Sequence, residues 1–78
     1  MTEKDWTKTI AAKLVGRRIV GVSYMTKEEA ASQYWQDRAP VLELDDGTLL
    51  YASADDEGND AGALFSTNES LPVIPVMR

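Results

Sequence analysis

The sequence predicts a small α+β domain: an N-terminal helix packed on a curved antiparallel sheet of four to five strands. Three observations carry this expectation. Residues 5–15 place apolar side chains at helical spacing. Residues 41–45 (VLELD) and 48–53 (TLLYAS) are two apolar-rich runs separated only by Asp46-Gly47. The other extended stretches, 17–25, 63–67 and 71–76, are short and bounded by glycine, asparagine or proline. With 78 residues, 44% of them hydrophobic, the chain has room for a single domain and one thin core.

The elements follow in order. Trp6, Ile10 and Leu14 recur at i, i+4 and i+8, and Ala11 and Val15 widen the stripe. Asp5 is placed to cap this helix and Gly16 to end it. In the strand 17–25 (RRIVGVSYM), Gly21 lacks a side chain to pack and marks a candidate bulge or bend. Thr26 followed three residues later by Glu29 has the pattern of a capping box, which predicts a short helix over 27–34. Pro40 closes the connector after it. Asp46-Gly47 matches a type I′ hairpin turn, with both residues at positive φ. Residues 54–62 form an acidic loop. Residues 63–67 are read as extended, 68–70 as a turn. Residues 71–76 (LPVIPV) are read as an edge segment, because Pro72 and Pro75 have no N–H to donate. Both faces of that segment are apolar, so it is the expected contact of a homodimer.

Composition excludes several chemistries. There is no cysteine and no histidine. Disulfides, thiolate nucleophiles, zinc–thiolate sites and a Ser–His–Asp triad are therefore ruled out. No catalytic residue and no cofactor is expected; a small hydrolase is the remaining enzymatic alternative. The polar opening MTEKDWTKTI has no apolar signal region, and no run approaches the ~20 residues that span a bilayer. The expectation is a cytoplasmic protein without a membrane association.

Charge is unevenly distributed. Residues 1–39 hold seven basic and five acidic side chains, a net of +2, and residues 40–78 hold one and eight, a net of −7. The total of −5 disfavours nucleic acid as a partner of the whole chain. The leading expectation is a non-catalytic module that binds an unidentified protein. Its candidate contacts are the adjacent aromatics Tyr34 and Trp35 and the loop acids Asp55, Asp56, Glu57 and Asp60. That loop does not have EF-hand spacing: from Asp55, position six is Asp60 rather than Gly and position twelve is Ser66 rather than Glu. No metal site is expected there. The alternative is a nucleic-acid binder using Lys13, Arg17 and Arg18 with nearby aromatics.

Two resemblances extend this reading. Leu14-Val15-Gly16-Arg17-Arg18-Ile19-Val20-Gly21-Val22 resembles the opening of Sm-like RNA-binding proteins over less than a third of the chain. It implies closure of the sheet as an SH3-like or Sm-like small barrel. No RNA-contacting residue transfers, since the family's second motif has no counterpart here. Gly16-Arg17-Arg18-Ile19, Leu42-Glu43-Leu44-Asp45-Asp46-Gly47-Thr48 and the stretch from Ser53 to Phe65 resemble a family of small uncharacterised bacterial proteins. That likeness implies a bacterial cytoplasmic protein and supplies no site.

Overall fold

In the computed structural model, which describes residues 2–78, the chain opens on α1 (Glu3–Leu14). Thr2 is the cap. Its hydroxyl accepts the Asp5 N–H at 3.2 Å, and the Asp5 carboxylate accepts the Thr2 N–H at 3.3 Å. The helix thus starts earlier than Asp5, which serves as the third helical residue of a capping box. The expectation that this helix packs on the sheet is corrected. No α1 side chain is buried; Trp6 is 54% exposed and Ile10 48%. The helix makes no more than marginal contact with any strand or with the second helix. Its apolar stripe is narrow: Trp6, Ile10 and Leu14, with only Ala11 and Val15 to widen it. Too little apolar area is available to hold it against the sheet.

Three strands make the main sheet: β1 (Ile19–Tyr24), β2 (Pro40–Leu44) and β3 (Leu49–Tyr51), all antiparallel in the order β1-β2-β3. A second sheet pairs β4 (Leu64–Phe65) with β5 (Val73–Ile74). The expected single sheet of four to five strands is therefore divided, and it does not close as a barrel. The division has a local cause. After β3 the chain folds back on itself, with Ser53 bridged to Ala61 and the Gly62 N–H donating to the Ala52 carbonyl at 2.9 Å. That return pairs with residues 52–54, beyond the end of β3, rather than extending the sheet as a fourth strand. β4 and β5, two residues each, are too short to bridge the sheets.

The hairpin lies where the sequence places it, but its turn differs. Gly47 N–H donates to Leu44 C=O at 3.0 Å and Leu44 N–H to Thr48 C=O at 2.9 Å. Only Gly47 has positive φ, +88°. This is a three-residue loop, Asp45-Asp46-Gly47, with a type I turn and glycine in the left-handed position, not a type I′ turn. Asp45 leaves the strand to join the loop, so Asp46 never needs a positive φ.

α2 (Lys27–Ser32) lies between β1 and β2 in sequence. Its capping box matches the expectation: Thr26 Oγ1 accepts the Glu29 N–H at 3.1 Å, and Glu29 Oε1 accepts the Thr26 N–H at 2.9 Å. It ends two residues short of the expected 34. Trp35 N–H donates back to Ala30 C=O and Tyr34 N–H to Ala31 C=O. This is a Schellman closure with Tyr34 as its left-handed residue, φ +62°. The core forms around that closure: Met25, Ala30, Trp35, Ala39 and Ala61, with Val41 and Val76 packed against them.

The C-terminal segment is tied into the same body. Val76 packs on the core, Arg38 and Met77 exchange both backbone hydrogen bonds, and Tyr24 Oη donates to Pro75 C=O at 2.7 Å. Leu71 and Val73 remain exposed. Among the described residues, no helix is long and apolar enough to cross a membrane.

Candidate interaction site

β1 is an edge strand, since among the described residues β2 is its sole hydrogen-bonded neighbour in the sheet. Which of its peptide groups face outward follows from one bond. Met25 N–H donates to Ala39 C=O, in register with the pairs Ser23–Val41 and Gly21–Glu43. In an antiparallel ladder, residues alternate between pointing their backbone groups at the partner and away from it. Gly21, Ser23 and Met25 therefore point inward to β2, and Val22 and Tyr24 point outward. No backbone bond joins those outward groups to another segment among the described residues. The register shifts between Ile19 and Gly21, leaving Val20 as the extra residue of a β-bulge. Val20 and Val22 are 58% and 68% exposed.

Beside this edge lies an open groove of about 500 Å³. Its floor is one sheet face, with Gly21 and Ser23 of β1, Val41 and Glu43 of β2, and Leu49 and Tyr51 of β3; Glu29 and Ser32 of α2 and the capping residue Gln33 form its wall. The floor is low along β1 because Gly21 and Ser23 are small. Glu43 sits opposite Gly21, and its side chain lies across the glycine. A Cβ at Gly21 would meet Glu43 Oε1 at 3.0 Å and Glu43 Cβ at 3.5 Å. The Glu43 carboxylate is thereby carried over the edge strand itself. Among the described residues it forms no ion pair or hydrogen bond. Glu29, by contrast, is occupied: the Thr26 backbone N–H holds its carboxyl below the usual carboxylate range. Among the described residues, no lysine or arginine lines the groove.

The residues singled out from sequence lie elsewhere. Tyr34 is 93% exposed on the closure of α2, and Trp35 is a core residue at 6% exposure whose ring N–H donates to Gly58 C=O at 2.6 Å. The positive φ at Tyr34 turns the two neighbouring rings apart. Trp35 meets Tyr51 edge-on, with ring centres 6.1 Å apart.

Asp55 organises its own loop. Its carboxylate accepts the Glu57 N–H at 2.9 Å and the Asn59 side-chain amide at 2.7 Å, and the Asn59 amide is the main cause of its lowered pKa. Asp60 fastens the loop to the rest of the chain. Its Oδ1 accepts backbone N–H groups from Ala61 at 2.8 Å, Gln36 at 3.2 Å and Asp37 at 3.3 Å; the Ala61 bond contributes most to lowering its pKa. Asp56 and Glu57 are exposed on the same loop. Among the described residues, no three acidic groups gather as a metal site.

Arg17 reaches the hairpin loop, 3.6 Å from Asp45 and 3.5 Å from Asp46, so its charge is locally balanced. Lys13 and Arg18 form no ion pair among the described residues. Tyr34, the loop acids and the three basic residues do not line the groove, which is built from Gly21, Ser23, Glu29, Gln33, Glu43 and Tyr51. Sequence reasoning missed these residues. The available signal was a glycine within an otherwise apolar strand, but its cross-strand partner Glu43 depends on a register that the bulge shifts.

Comparison with protein-family models, curated proteins and solved structures finds no match.

Proposed function

We propose that this chain is a protein-interaction module that captures an extended segment of a partner protein along β1. The observation that carries this reading is the open edge. Val22 and Tyr24 present outward backbone groups, and a groove runs beside them on one sheet face. An added strand gains main-chain hydrogen bonds from such an edge and side-chain contacts from the groove. The pairing of Arg17 with Asp45 and Asp46 weakens the basic patch on which the nucleic-acid reading relied.

The test uses a panel of capped, proline-free octapeptides and amide hydrogen exchange. Binders are expected to slow exchange at Val22 and Tyr24. Val22→Pro, which removes an outward donor while sparing the ladder to β2, is expected to abolish binding. Binders that leave both amides exchanging as in the free protein sink the reading.

A homodimer through residues 71–76 is a separate proposal, supported by the exposure of Leu71, just before β5, and of Val73 within it. Light scattering that shows a monomer at high concentration removes it.

A further inference from the structure

The geometry points to a segment bearing a lysine or arginine as the occupant of the β1 edge, with that side chain paired to Glu43. This rests on the reading of β1 as a capture strand and adds the chemistry of what is captured.

Position comes first. A strand added to β1 would lie about 4.8 Å from it. Glu43 belongs to the next strand inward, yet its carboxylate lies over Gly21, on β1 itself. It is thus one strand spacing from the incoming chain rather than two. A residue of the added strand opposite Gly21 or Ser23 points to the same face and meets that carboxylate directly. Any β1 residue other than glycine at position 21 would push the carboxylate back.

Charge comes second. Glu43 has no partner of its own among the described residues, and Glu29 adds a second negative charge on the groove wall. With no basic side chain in the lining, an acidic segment would be repelled and a basic one attracted. The polar tips of Ser23, Ser32 and Gln33 provide further acceptors for an ammonium or guanidinium group. The apolar part of the floor, Val41, Leu49 and Tyr51, receives the aliphatic stem of the same side chain.

The experiment compares two capped peptides, alternating Val-Lys and alternating Val-Glu, by calorimetry and by exchange at the Val22 and Tyr24 amides. Wild-type protein is expected to bind the lysine peptide about tenfold more tightly, the sum of one exposed attraction gained and one repulsion avoided. Glu43→Gln is expected to remove most of that preference while still protecting both amides. Gly21→Ala, whose one tight contact is with the flexible end of Glu43, is expected to weaken the lysine peptide and leave the melting temperature near wild type. Equal affinity for the two peptides, with both amides protected, overturns the charge assignment and leaves the edge reading standing. A preference for lysine that Glu43→Gln leaves intact also overturns it. If neither peptide slows the two amides, the edge reading is overturned, and this inference with it.

Discussion

Tyr34 holds a conformation that its side chain does not repay. A left-handed backbone costs an L-residue about 1–2 kcal/mol, and the ring, 93% exposed, buries almost nothing in return. Tyr34→Gly relieves the strain, and the greater freedom of glycine in the unfolded chain offsets part of that gain, so a net stabilisation of about 0.5–1 kcal/mol is expected in urea unfolding. A destabilised variant would mean that the ring makes contacts of its own. Asp60 works in the opposite direction, since its carboxylate supports three backbone N–H groups. Its folded pKa lies below the unfolded one. Its contribution is therefore complete above the ordinary carboxylate range and is lost as pH falls through the folded value. The melting temperature should drop on acidification below about pH 4. Asp60→Asn should start lower at neutral pH and show a shallower acid limb. These two residues also mark where sequence reading stops. Nothing local distinguishes Tyr34 from Trp35, or Asp60 from Asp56; the distinction comes from a closure at the helix end and from N–H groups more than twenty positions away.

At the scale of elements, patterns within a few residues of one another were legible. Thr26 and Glu29 form their box because both partners lie within one helical turn. The hairpin was legible in place but not in type, since whether Asp45 belongs to strand or loop depends on its pairing with Arg18, whose carbonyl accepts the Asp45 N–H. The unpacked α1 was not legible at all, because an amphipathic stripe says which face could be buried and not whether a surface awaits it. The parity of β1 makes a sharp prediction. Ser23 points its N–H at Val41, and Val22 points its own away. Ser23→Pro should cost roughly 2 kcal/mol more than Val22→Pro, as one ladder bond and one orphaned carbonyl separate them. Equal melting temperatures for the two variants would place the ladder on the wrong residues.

At the scale of the whole molecule, the core is completed by residues far apart in the chain. Tyr24 and Pro75 are 51 positions apart, yet they are joined by a hydrogen bond. Arg38 Nη2, 40 positions from Arg78, donates to its carbonyl. Total stability is small in any domain of this size, about 5 kcal/mol at the low end of the ordinary range. Removing residues 71–78 takes away Val76, the Arg38–Met77 pair and β5 together. The shortened chain is expected to lose the near-ultraviolet dichroism of Trp35 and its cooperative melt. A native-like Trp35 signal in that chain would show that the tail is an accessory.

An edge that admits a partner strand also admits a neighbouring copy, and the bulge at Val20 limits that hazard. It bends β1 so that only Gly21 to Tyr24 remains regular, too short a stretch for copies to stack indefinitely. The net charge of −5 adds mutual repulsion between copies. Salt acts on both associations in opposite senses. At physiological ionic strength the screening length is only about 8 Å, and it shortens as salt is added. Added salt weakens the attraction of Glu43 for a cationic segment and the repulsion between two chains. If β1 captures a strand as proposed, the composition of the medium sets which one occupies the edge, with dilute buffer favouring the foreign one and concentrated brine favouring the chain's own kind.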